Sequence, residues 1–173
     1  LSTDQPGKSL HSFSGFTSSV CQLRPESRGH VRVASADPFV KPAITANYLS
    51  TTTDQCVTVA ALRMSRRILA APTMHALVAE GIIPGACVQS DDELLDFARR
   101  KGGSIFHPVG TCKMGCDTMA VVDDRLRVHG IAGLRVADAS IMPTLVSGNT
   151  NAPAIMIGEK AADLILEDLR LQG

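Results

Sequence analysis

Three stretches of this chain space their apolar residues as a helix does, and glycine and proline cut what lies between them into short segments. Over residues 54–71, Val57, Ala61, Met64, Ile68 and Ala71 form one stripe, and Pro72 is expected to end the helix. Arg63, Arg66 and Arg67 fall largely off that stripe and read as a solvated face. Ser90 followed by Glu93 has the form of a capping box, so a second helix is expected over 91–101, closed by Gly102-Gly103. The third is expected from Pro153 to about Arg170. Ile155, Ala162, Ile165, Leu166 and Leu169 give it an apolar face, and Glu159, Asp163 and Glu167 a wetter one. A further short helical turn is expected at 76–78.

Strand signals are shorter. Residues 28–34 alternate and carry β-branched side chains, which predicts a strand after a turn. Asp37-Pro38 and Lys41-Pro42 then leave residues 35–52 extended or irregular. The first twenty or so residues read as loop passing into an extended stretch over 15–23. Two short extended segments, 126–128 and 134–136, flank a turn-like His129-Gly130-Ile131-Ala132-Gly133.

Charge and composition exclude several classes. The 17 basic side chains balance 17 acidic ones, which removes the attraction behind sequence-independent nucleic-acid binding. Aromatic residues make up 3% of the chain, with no Trp and one Tyr, so base-stacking platforms and cages for cationic ligands have little to be built from. No apolar run approaches the roughly 20 residues of a membrane span, and the polar start lacks the centre of a signal peptide. Five scattered cysteines, an odd number, fit a reducing, cytoplasmic compartment better than a disulfide framework. Cys112 and Cys116 lie near His107 and His129, but a structural zinc site needs a second tight ligand pair, so no metal is expected. A chain that opens on Leu1 reads as cut from something longer.

Chemistry-bearing residues gather in residues 107–115 (HPVGTCKMG) and in 136–143 (VADASIMP) running on to 147–153 (SGNTNAP). Upstream stand 23–29 (LRPESRG), 36–38 (ADP), 47–50 (NYLS) and Asp54. In this order, over roughly residues 15–170, the motifs resemble the C-terminal part of the glucose-methanol-choline (GMC) oxidoreductases. These are FAD-dependent enzymes that oxidise alcohols, and the choline-dehydrogenase-like members are the nearest.

The resemblance implies an α+β fold in which a mixed or antiparallel sheet is flanked by helices, plus a C-terminal strand and helix that return to the FAD domain. It also implies a reaction in which a base takes the hydroxyl proton while hydride leaves the carbinol carbon for flavin N5. His107 matches the family's catalytic histidine, and imidazole suits that task near neutrality. Asn149 occupies the second catalytic position, which is His or Asn in the family. An amide can hydrogen-bond the substrate oxygen but cannot titrate, so the acid-base work falls to His107. Asp138 and Ala139 match the segment near the cofactor's ribityl and phosphate region. Asn151, Ala152 and Pro153 match the segment beside the isoalloxazine ring, where a helix start would favour the negative charge gathering near N1 and O2 on reduction. Gly110 and Gly148 would let backbone come close to ring or substrate. On the residues alone each position also has a structural reading: a hydrogen-bonded histidine, turn or cap asparagines, a strand-ending aspartate.

No Gly-x-Gly-x-x-Gly follows a strand in this sequence, yet the family holds the ADP half of FAD on such a fingerprint. The expectation is a C-terminal fragment. Residues 1–120 would form most of the substrate-binding domain, and 121–173 a strand-helix segment that docks on the FAD domain, whose N-terminal part is absent. Expected partners are a small-molecule alcohol, the missing FAD domain and, through exposed apolar faces, a second copy. Alone the fragment should be inactive and should not bind FAD. Two alternatives remain open, a non-catalytic binding module of the same fold and a hydroxynitrile-lyase-type enzyme.

Overall fold

The computed structural model describes residues 2–3 and 9–172, so residues 1 and 4–8 of the expected N-terminal loop lie outside the described residues. The fold is α+β. Its elements run β1 (His30–Arg32), β2 (Ala43–Thr45), α1 (Thr52–Leu69), α2 (Pro72–His75), α3 (Asp91–Lys101), a 3-10 helix (Ala139–Ile141) and α4 (Asn151–Gln172). Described residues up to Gln22, with Glu26–Arg28 and Asn47–Ser104, make one compact unit; Leu23–Pro25, Gly29–Ala46 and those from Ile105 onward make another.

The first unit is organised by α1. Thr51 caps it by accepting the Asp54 N–H. Asp54, only 2% exposed, accepts the N–H groups of Glu26 at 3.0 Å and Ser27 at 2.7 Å. The face so covered holds Asp54, Val59 and Ser65. Of the expected stripe, Val57, Met64 and Ile68 are exposed instead. The side that α1 buries carries a hydrogen-bonded carboxylate together with apolar Val59. Arg63 and Arg67 lie on a solvated face as expected, Arg63 pairing at the surface with Asp91 and donating to the Gln89 carbonyl, while Arg66 is half-buried and donates to the Val88 carbonyl at 2.7 Å. Pro72 opens α2 rather than merely ending α1, because a missing N–H costs nothing in a first turn. The short turn therefore comes ahead of 76–78. α3 matches its expected span, with the reciprocal Ser90–Glu93 capping box in place and Leu94 and Ala98 buried. α1 packs on α3.

In the second unit β1 pairs antiparallel with β2, His30 opposite Thr45. Gly29 precedes β1 because a Cβ there would lie 2.0 Å from the Thr45 carbonyl oxygen. The core is Val122, Leu126, Ile141, Met142, Ile157, Ala161 and Leu164. Segments 126–128 and 134–136 join by an isolated antiparallel bridge, Arg127 opposite Arg135, rather than as full strands. The Val128 N–H donates to the Leu134 carbonyl, and the Val136 N–H to that of Leu126.

α4 begins at Asn151, two residues before the expected Pro153. It buries Ile157, Ala161 and Leu164, while Ile155, Ile165, Leu166 and Leu169 of the expected apolar face stand exposed. The helix is apolar on more sides than one core can cover. Its last turns are held by Asp168, which takes ion pairs from Arg125, Arg127 and Arg135; Arg125 also reaches Glu167. Burial works to raise the Asp168 carboxyl, but hydrogen bonds from Arg135 and Arg125 outweigh it and hold the group below the usual range. Among the described residues no helix is long and apolar enough to cross a membrane.

Candidate active site

The two motif clusters meet through backbone. The Cys112 N–H donates to the Ser140 carbonyl at 3.0 Å, and the Met114 N–H to that of Ile141 at 2.7 Å. Gly110 makes this approach possible. Its φ is +88°, and an added Cβ would lie 3.1 Å from the Met142 carbonyl oxygen. The close approach it permits is thus to the 140–142 backbone, while Gly148 has open space around it.

His107 enters the site from this stitched segment, half-buried. Its Nδ1 lies 2.9 Å from the Thr150 hydroxyl oxygen, 43 positions along the chain. The Thr150 N–H points at the same nitrogen from 3.4 Å. Thr150 is 8% exposed, and its carbonyl accepts the Ala154 N–H to begin α4. Asn149, the residue before it, is exposed. The imidazole therefore lies beside the backbone that carries the carboxamide. Phe106 has φ +61° and Ser147 φ +59°. Neither is glycine, and such left-handed backbone persists only where its surroundings enforce it. Both strained positions flank the candidate pair.

The other expected residues divide between structural and open positions. Asp138 caps the 3-10 helix, accepting the Ser140 N–H at 2.7 Å. Ala139 packs against the core. Asn151 and Ala152 are exposed in the first turn of α4, and Pro153 is half-buried. The N–H groups of Asn151 and Ala152 have no partner within the helix, since first-turn donors never do, and Pro153 has none to offer. Arg24 joins the neighbourhood by donating to the Ser147 hydroxyl at 2.6 Å. His129 contacts the Gly115 carbonyl at 3.0 Å, and among the described residues no group of three His, Cys, Asp or Glu could hold a metal ion.

Sequence reasoning passes over Thr150. The signal was there: a threonine at the N-cap, whose hydroxyl normally accepts from the second or third helical N–H, faces a proline at the third position. Its hydroxyl is released from part of its capping duty.

The chain belongs to the GMC oxidoreductase family, whose C-terminal profile matches residues 25–158. It is 47% identical over 152 residues to an alcohol dehydrogenase [acceptor] of Pseudomonas putida, covering 88% of this chain and 28% of that protein. It is 50% identical over 151 residues to an oxygen-dependent choline dehydrogenase of Cronobacter sakazakii, covering 87% of this chain and 27% of that one. Among solved structures, an FAD-dependent oxidoreductase from Chaetomium thermophilum superposes with a TM-score of 0.80 at 34% identity, over 86% of this chain and 26% of its own. The chain thus spans about a quarter of the length of the relatives it matches.

Proposed function

We propose that this chain is the C-terminal part of an FAD-dependent oxidoreductase that oxidises a primary alcohol, with His107 as the proton acceptor and Asn149 as the hydrogen-bond partner of the substrate oxygen. The observation that carries this reading is the bond from His107 to Thr150, which sets two distant motifs side by side. Nδ1 is taken by Thr150, so Nε2 is the atom left to receive the hydroxyl proton. Asn149 keeps its charge state at any pH and can only orient the oxygen or steady the charge that develops on it.

The residues present fit the cofactor that the family implies. The first turn of α4 leaves two backbone donors unpaired beside an uncrowded Gly148, which suits an electron-rich ring edge. Asn151, Ala152 and Pro153 would line that edge, with Asp138 and Ala139 nearer the ribityl chain and phosphates. When bound, FAD supplies the acceptor for the hydride.

Within the whole protein, residues 1–120 belong to the substrate-binding domain and 121–173 dock on the flavin-binding half. The uncovered side of α4 supports this docking, and in the chain alone it is the surface through which a second copy pairs. By itself the chain neither holds FAD nor turns over an alcohol, as it has no glycine fingerprint for the dinucleotide.

The test is a chimera in which this chain replaces the matched segment of the Pseudomonas putida alcohol dehydrogenase, mixed anaerobically with primary alcohols. Bleaching of the flavin is expected. Cyanohydrin cleavage without any flavin reduction would assign the lyase reading instead.

A further inference from the structure

We propose that Arg24 is a positioning residue for Asn149: by donating to the Ser147 hydroxyl, its guanidinium fixes the loop that presents the carboxamide. The inference rests on the reading of Asn149 as the partner of the substrate oxygen. Residues 143–149 run between two buried residues, Met142 and Thr150. Among the described residues, the contact with Arg24 is the one hydrogen bond that this stretch makes. Its direction is fixed, since a guanidinium has only N–H donors: Arg24 Nε donates and Ser147 Oγ accepts, at 2.6 Å and 123 positions apart in the chain.

The accepting side chain belongs to the one residue of the loop held in left-handed backbone. Ser147 has φ +59°, a conformation that a residue with a Cβ leaves when nothing enforces it. Gly148 follows with open space around it and no Cβ to limit its own dihedrals. Without the bond, rotation at 147 and 148 passes directly to Asn149, and the carboxamide loses its place. Arg24 and Ser147 are both exposed in the chain, and a single surface contact adds little to global stability. What it contributes is order in one loop, and a reacting group displaced by about 1 Å can cost a reaction about 10²-fold.

In the 15N-labelled chain, backbone relaxation at Gly148 and Asn149 measures the loop directly. Arg24→Met and Ser147→Ala should each lower the order parameters there to below about 0.6, the flexible range, with the melting temperature unchanged. In the flavin-loaded chimera, Arg24→Met should slow flavin reduction at saturating alcohol by at least about tenfold, with flavin content unchanged. Made in an Asn149→Ala background, the same substitution should change the rate by less than about twofold, because the group it positions is gone. Wild-type order parameters in Arg24→Met overturn the proposal. So does a loss of rate that persists in full without the carboxamide, or a wild-type rate in Arg24→Met where Asn149→Ala is slow. An Asn149→Ala chimera that reduces its flavin as fast as wild type refutes the role of Asn149 instead, and the relaxation measurement, which involves neither substrate nor flavin, still decides whether Arg24 fixes the loop.

Discussion

Gly110 shows at the scale of one residue how tightly the site is drawn. Its φ of +88° is one that side-chain-bearing residues rarely adopt, and a Cβ there would press on the Met142 carbonyl oxygen from 3.1 Å. Gly110→Ala should therefore lower stability by about 1–2 kcal/mol from the left-handed conformation alone, with more from pressing on backbone that cannot swing away. Urea unfolding of the two chains measures it, and a difference under about 0.5 kcal/mol, the level of a neutral surface change, contradicts the assignment. His107, Asn149 and Gly110 can be singled out in the sequence as candidates because each stands in a motif. Thr150 was not, since its role depends on a ring brought from 43 positions away. Nor were Phe106 and Ser147, whose positive φ is imposed by tertiary context and leaves no compositional mark.

Among the elements, α3 and α1 mark what the sequence can and cannot reveal. The capping box and terminal glycine of α3 are local, so its limits could be read from seven or eight letters around each end. The buried side of α1 could not, because it includes Asp54, which is buried through hydrogen bonds from Gln22, Glu26 and Ser27. Burial raises the Asp54 carboxyl, but the Ser27 hydroxyl, the N–H groups of Glu26 and Ser27 and the Gln22 side chain outweigh this and bring it from 3.8 to about 2. The folded value lies below the unfolded one, so the folded chain binds fewer protons. The stabilisation, about 2 kcal/mol, is full above the unfolded value and is lost as pH falls through the folded one. Asp54→Asn should lose about that much at neutral pH and flatten the acid limb of stability against pH between 4 and 2. An unchanged limb in thermal melts across that range would remove Asp54 as its source. On α4 none of the expected face is buried: Ile157, Ala161 and Leu164 face the core instead, and Ile155, Ile165, Leu166 and Leu169 stand exposed, because a helix apolar on several sides does not announce which one its core will take.

For the molecule as a whole, the exposed apolar residues of α4 are where the proposed docking and pairing can be tested. Leu166 is 52% and Leu169 61% exposed on α4, with Ile155 and Ile165 exposed on the same helix. Sedimentation of the isolated chain should reveal self-association that Leu166→Glu with Leu169→Glu abolishes, and a wild-type monomer at the same concentration would contradict pairing through α4. The purified chain should be colourless, and a stoichiometric flavin spectrum would refute the need for a separate flavin-binding half. The claim on which all of this depends is that the histidine opening the HPVGT motif takes the proton from the alcohol. It is tested most directly by anaerobic rapid mixing of alcohol with the flavin-loaded chimera, with and without His107→Ala. The rate of flavin reduction should fall by about 10²–10⁴-fold, the usual contribution of a general base, with flavin content unchanged. An equal rate in the two proteins would take His107 out of the mechanism.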